Sequence, residues 1–280
     1  MSTAAAALPQ AGRVRSFVDF YLTSMRTQIS VQFQYRAATY MYLLGMVAEP
    51  VIYLVVWTTI AEDSGGTVGG LTTGELAAYY IVWTFVRNMN TVFTPYGWEW
   101  RIREGELSGQ LLRPLHPIHY DIAGFAGGKL PWMLFYLPIG VVLTLLFDPT
   151  FDFGAAEIAV FAVAIWGAYL IRTFNQSALG LMCFWTTRVG AAFSLYIMLD
   201  LLLSGRLVPM TLMPDWVQTV AWLLPFQWTF YFPIETLVGD LSNAELLRGL
   251  AMQIFWILVG IGLFSLVWRR AVRRYTAVGN

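Results

Sequence analysis

The sequence predicts an all-α integral membrane protein: six transmembrane helices, an N-terminal amphipathic interface helix, and outer re-entrant helices before the last span. Three observations carry this. The 280 residues are 58% hydrophobic and 12% charged, about half the charged fraction of a soluble domain. Apolar runs of about 20 residues, the length that spans a bilayer, recur along the chain. The arginines sort to alternate connections between those runs. A chain of this length can bury a core in water, but not this much apolar surface, so the excess is expected to face lipid.

The elements follow in order. The start, MSTAAAALPQAG, has no basic residue before its short alanine run. No cleaved signal is expected, and the first apolar helix has to direct insertion. Residues 13–36 mix Phe17, Phe20, Tyr21, Ser24, Gln28 and Val31 at helical spacing between flanking arginines. This pattern fits a helix lying on the inner leaflet, where arginine meets anionic lipid; a disordered basic leader is the plainer alternative. The expected spans are 37–60, 76–94, 121–147, 157–184, 190–212 and 249–268. The first two are joined by EDSGGTVGGLTTGE, a flexible outer connector. No linker divides the chain, so 1–280 is one transmembrane domain.

A stretch at 216–238 is long and apolar enough to be a seventh span. Charge decides otherwise. With six spans and the N-terminus inside, the inner segments hold Arg13, Arg15, Arg26, Arg36, Arg101, Arg103, Arg113, Arg188, Arg269, Arg270, Arg273 and Arg274. The outer segments hold only Arg206 and Arg248, so the count is twelve against two, a strong positive-inside bias. A seventh span would place the RRAVRR tail outside. Pro225 and Pro233 also interrupt the stretch. Trp216, Trp222 and Trp228 suit an interfacial belt. Residues 213–240 are therefore expected to form two short helices that enter the outer leaflet and return, which requires protein around their non-helical backbone.

Few residues can carry chemistry. The formal net charge is zero, which argues against a nucleic-acid partner. Cys183 stands alone in an apolar run and is expected to be a small buried residue. His116 and His119 are separated by Pro117 and lack a third ligand nearby, so no metal is expected. Lys129 follows two glycines, but Ala123 and Leu130 break the P-loop pattern, so no ATP site of that kind lies on this chain. Gly124 and Gly128 have the spacing that lets helices approach closely. Glu49 and Arg87 fall at similar depth in the first two spans and are expected to pair. Structural glue and a place on a substrate path both remain open for them. Arg172 and Asp200 also lie at depth, without an assigned partner. No soluble catalytic domain fits between the spans.

The inner loop, residues 96–120, reads YGWEWRIREGELSGQLLRPLHPIHY. Leu107, Leu111 and Leu115 recur every four residues, the pattern of a short amphipathic helix suited to a groove on a partner; an ordinary solvated loop is the alternative. Within it, REGELSGQLLRPL (103–115) resembles the inner-loop signature of the ABC-2 type permeases, in a bacterial branch whose members work as paired membrane subunits. A second block, 184–240, resembles that family's stretch before the last span. The similarity is carried by Phe184, Trp185, Thr186, Ser204, Gly205, Pro209, Pro214, Trp216, Leu224, Pro225, Phe226, Pro233 and Gly239.

The resemblance implies the membrane half of an ABC transporter, mostly an exporter, in the bacterial cytoplasmic (inner) membrane with both termini cytoplasmic. ATP and Mg would be bound by a separate cytoplasmic ABC ATPase, with no cofactor on this chain. A short helix at 99–112 would couple the two, through Arg101, Arg103, Glu104, Glu106, Leu107 and Leu111. An outer gate would use Pro209, Pro214, Trp216, Pro225, Phe226 and Pro233. Partners would be the ATPase, membrane lipids, and a second permease chain in a heterodimer or homodimer. The resemblance names no substrate; it is the composition, apolar with few charges, that suits a hydrophobic or amphiphilic cargo. Two other classes remain open: a stand-alone channel or secondary transporter, and an intramembrane lipid-modifying enzyme. For the enzyme, His116, His119 and Asp121 are the compact candidate, without a nucleophile.

Overall fold

A computed structural model describes residues 12–186 and 188–275; the start of the chain read above for a signal lies outside them. Among the described residues eleven α-helices follow in order: α1 Arg13–Gln34, α2 Arg36–Asp63, α3 Thr73–Asn90, α4 Thr94–Arg103, α5 Leu107–Leu111, α6 Pro117–Phe147, α7 Ala155–Gly180, α8 Gly190–Leu203, α9 Asp215–Trp222, α10 Tyr231–Val238 and α11 Asn243–Ala271. A two-residue antiparallel hairpin, Thr67–Val68 with Leu71–Thr72, precedes α3.

Among the described residues, four helical segments are long and apolar enough to cross a membrane: Arg36–Asp63, Pro117–Phe147, Ala155–Phe184 and Asn243–Arg274. Exposed leucine, valine and isoleucine line their outer faces, among them Leu44, Val141, Leu145 and Leu258. Pro50 in α2 and Pro131 and Pro138 in α6 sit inside helices; neighbouring helices can re-satisfy the backbone groups that such prolines free. The helix starts are fixed locally. Ser242 with Glu245 and Thr72 with Glu75 form capping boxes at α11 and α3, each worth about 1 kcal/mol.

The other two expected spans are shorter. Helix α3 has 18 residues and lies inside the protein, packed by α2, α6, α7 and α10. Its Tyr79, Tyr80, Trp83, Val86 and Met89 make the main core with Phe230 and Ile234. It stops at Asn90 rather than at residue 94, and α4 restarts at Thr94 with Pro95 in its first turn, where no amide hydrogen is needed. Helix α8 has 14 residues, about 21 Å at 1.5 Å per residue. It stops at Leu203 rather than running to 212, because Gly205 adopts φ +80°. Three α3 side chains then hold the departing chain. Tyr79 Oη donates to the Gly205 carbonyl at 2.6 Å, Trp83 Nε1 to Arg206 at 2.9 Å and Tyr80 Oη to Leu207 at 3.2 Å.

The apparent seventh span is two eight-residue helices, α9 and α10, joined through a 3-10 turn at Gln227–Thr229. Neither is long enough to cross a bilayer. The turn is covered by protein. Asn90 Nδ2 donates to the Thr229 carbonyl. Gln253 Nε2 on α11 donates to both Trp228 and Ala164, at 2.8 and 2.9 Å. Trp228, expected in an interfacial belt, is instead buried. Its Nε1 donates to the Trp222 carbonyl, while Trp216 and Trp222 stay exposed.

Helix α1 packs along α6. Gly127 sets the approach: a Cβ there would lie 2.6 Å from Met25 Cα. The spacing pair Gly124 and Gly128 meets only the ends of Gln28 and Gln32 side chains, at 4.0 and 3.6 Å. The close-packing glycine is thus Gly127, next to Gly128, rather than either member of the expected pair.

Candidate functional site

Two regions gather the polar chemistry, and they are the inner loop and a group of charges at depth. The loop is two helices, not the single coupling helix expected at 99–112. Gly105, at φ +75°, breaks it between α4 and α5. Its base is clamped on every side. Gly180 of α7 lets α4 come close: a Cβ there would be 2.8 Å from Trp98 Cβ and 2.9 Å from Pro95 Cα. Trp98 is fully buried and its ring meets Phe264 and Trp268 of α11 at 5.9 and 5.6 Å. Glu99 Oε2 accepts from the Val189 amide ahead of α8 at 3.1 Å. Tyr275 Oη donates to the Gly105 carbonyl at 3.0 Å.

The six expected coupling residues divide. Arg101 is buried: Nη2 lies 2.7 Å from Asp121 Oδ2 at the start of α6, Nε donates to the Gly97 carbonyl, and the guanidinium stacks 4.1 Å over Trp98. Leu107 is fully buried with Trp98, Ile118 and Leu181, so it is core and not part of a partner-facing stripe. Arg103, Glu104, Glu106 and Leu111 are exposed, with Arg103 3.3 Å from Glu99. Leu112, which the four-residue spacing passed over, is the most exposed of the loop leucines at 89%.

The two histidines serve this scaffold. His116 Nδ1 accepts from the Ile118 amide at 3.2 Å and so caps α6, while its ring meets Trp268 at 4.4 Å. Burial, with His119 nearby, lowers its pKa to about 4, so it is neutral near pH 7. His119 Nδ1 is 2.8 Å from Tyr21 Oη of α1. With Asp121 held by Arg101, the three residues weighed as a catalytic group are each bound to a different partner. No group of three or more potential metal ligands occurs among the described residues.

Five charges gather at depth. Arg87 Nη1 lies 2.6 Å from Glu49 Oε2, and Arg206 Nη2 is 3.6 Å from Glu49 Oε1. Arg172 Nη1 lies 2.7 Å from Asp200 Oδ1, and Asp200 is fully buried. The sequence left Arg172 and Asp200 without partners and counted Arg206 with the outer segments; the structure pairs Arg172 with Asp200 and places Arg206 beside Glu49. The guanidinium groups share aromatic faces, with Arg87 and Arg206 over Trp83 at 5.3 and 5.8 Å and Arg172 over Phe230 at 5.6 Å. Glu49 and Arg172 lie within segments long and apolar enough to cross a membrane, where a single charge costs roughly 2.5–3.5 kcal/mol to insert.

The expected gate residues sit around the outer helices. Pro209 and Pro214 precede short helical turns, Trp216 is exposed, and Pro225 lies between α9 and the 3-10 turn. Phe226 is buried with its ring 5.4 Å from Tyr196 of α8, and Pro233 is buried in α10.

A family model described as ABC-2 family transporter protein matches residues 47–279. A search of curated proteins finds no match.

Proposed function

Because the chain belongs to the ABC-2 family of transporter proteins, and is therefore the multi-pass membrane subunit of an ABC transporter, we propose that it forms half of a transport pore driven through its first inner loop. The observation that supports this reading is the loop itself. An exposed tip of Arg103, Glu104, Glu106, Leu111 and Leu112 stands on a base bonded to Asp121 of α6 and to the Val189 amide ahead of α8, and packed against the ends of α7 and α11. A push on that tip moves four helices together, as a two-state membrane element requires.

In this reading the α1–α11 order makes six passes, α3 and α8 being the two short ones. Both termini lie in the cytoplasm of a bacterial cell, and α9 and α10 close the outer side. ATP and Mg belong to the ABC ATPase subunits that the family associates with. The direction is export, the cargo hydrophobic or amphiphilic, and the second half of the pore another permease chain, different or identical.

The test is charge reversal at the tip. Glu104→Lys with Glu106→Lys is expected to lower co-purification of the ATPase and transport by tenfold or more, with the permease still folded and inserted. Unchanged co-purification and unchanged transport would remove the loop from the coupling role.

A further inference from the structure

The geometry points to a binding site for an oxyanion-headed amphiphile, its head among Arg87, Arg172 and Arg206 and its apolar body in the adjoining cavity beneath α1. Three observations carry this. The first is charge. Three guanidinium groups face two carboxylates, Glu49 and Asp200, which leaves one positive charge without a counter-charge in the cluster. Lys129 lies outside this set: its Nζ donates to the Thr91 carbonyl at 2.8 Å. Where this protein needs polar glue at depth it uses a neutral amide, as Gln253 does between α7, α11 and the 3-10 turn. An uneven set of five charges is not needed for that task.

The second observation is the unmet hydrogen bonding. Arg172 Nε and Arg206 Nε are buried donors without a partner, and Asn90 Oδ1 and Gln176 Oε1 are buried acceptors without one. All four residues, with Arg87 and Phe193, line one small cavity of about 180 Å³. That space holds about six water-sized groups, enough for a carboxylate or phosphate diester with an attached hydroxyl. The guanidinium donors match the oxyanion, and the amide oxygens match the hydroxyl.

The third is the neighbouring space. A cavity of about 490 Å³ lies between α1, α2, α3 and α6, with Tyr42, Phe125, Trp132 and Tyr120 in its wall. Thr91 and Phe93 line both cavities, so the two adjoin. The larger cavity is mostly apolar, with Gln28, Gln32, Asn88, Asp121 and Lys129 among its lining residues; a charged head chamber beside it has the shape of an amphiphile.

This inference rests on the permease reading only for the role of the ligand as cargo; binding is measured without ATP or an ATPase, so either can fail alone. The full chain in phosphatidylcholine nanodiscs is titrated with dodecanoate, with dodecan-1-ol and with acetate. Dodecanoate is expected to bind at least tenfold tighter than dodecan-1-ol, and acetate to compete only at far higher concentration. Arg206→Gln leaves Glu49 paired with Arg87; it is expected to weaken dodecanoate at least tenfold and leave dodecan-1-ol unchanged. Trp132→Ala is expected to weaken both chains. Equal binding of dodecanoate and dodecan-1-ol to the unaltered protein would overturn the site, and that comparison needs no variant to fold. Acetate binding as tightly as dodecanoate would overturn the amphiphile and leave a small-anion site.

Discussion

Arg172 and Asp200 are the most deeply buried ion pair described, and each side chain is all but inaccessible. Removing one partner of such a pair strands the other charge, at a cost of about 3–5 kcal/mol. Asp200→Asn alone is therefore expected to lower stability by that order. Arg172→Gln combined with Asp200→Asn is expected to recover most of the loss, read from thermal unfolding in detergent. A double variant no better than the single would mean that the pair is not the term that matters. Residue-scale legibility had a physical limit here. Glu49 and Arg87 were readable as partners because each is a lone charge in an apolar run, at a countable depth. Asp200 was not, because α8 ends at Leu203 rather than at 212, which removes the depth scale. Arg206 then returns to the cluster along a backbone that only tertiary contacts from Tyr79, Tyr80 and Trp83 define.

At the scale of elements, helical spacing and prolines carried most of the reading. Arginine-flanked amphipathicity marked α1, and Pro225 and Pro233 marked the broken pair α9 and α10. The sequence could not show which face of α6 meets α1. A G-x-x-x-G spacing names a row of small residues, while the contact is made by Gly127, in the next row. Gly127→Leu should force α1 away from α6 through the Met25 backbone. Overpacking of this kind costs about 1–3 kcal/mol; Gly124→Leu, facing flexible glutamine side chains, should cost less. Protease cleavage between α1 and α2 measures this, and faster cleavage of the Gly124 variant than of the Gly127 variant would reverse the assignment. The inner loop shows the same limit. Leucine periodicity implied one stripe, but Gly105 ends the helix and turns Leu107 into the core and Leu112 outward.

For the whole molecule, the inner loop, the charge cluster and the outer helices are one connected body. Trp98 and Arg101 tie the loop to α11 and α6. Running back from that loop, α3 first bonds the Gln227–Thr229 turn through Asn90 and then, one turn farther on, reaches the cluster through Arg87. Motion imposed at the loop tip therefore has a packed route to both the charges and the α9–α10 pair. Everything in that route depends on what touches the tip. With a photo-crosslinking p-benzoylphenylalanine in place of Leu112, in native membranes, irradiation should give an adduct with a P-loop ATPase subunit, its yield changed by ATP. An adduct formed only with lipid, or none to an ATPase while the transporter remains active, would contradict the coupling role of the inner loop.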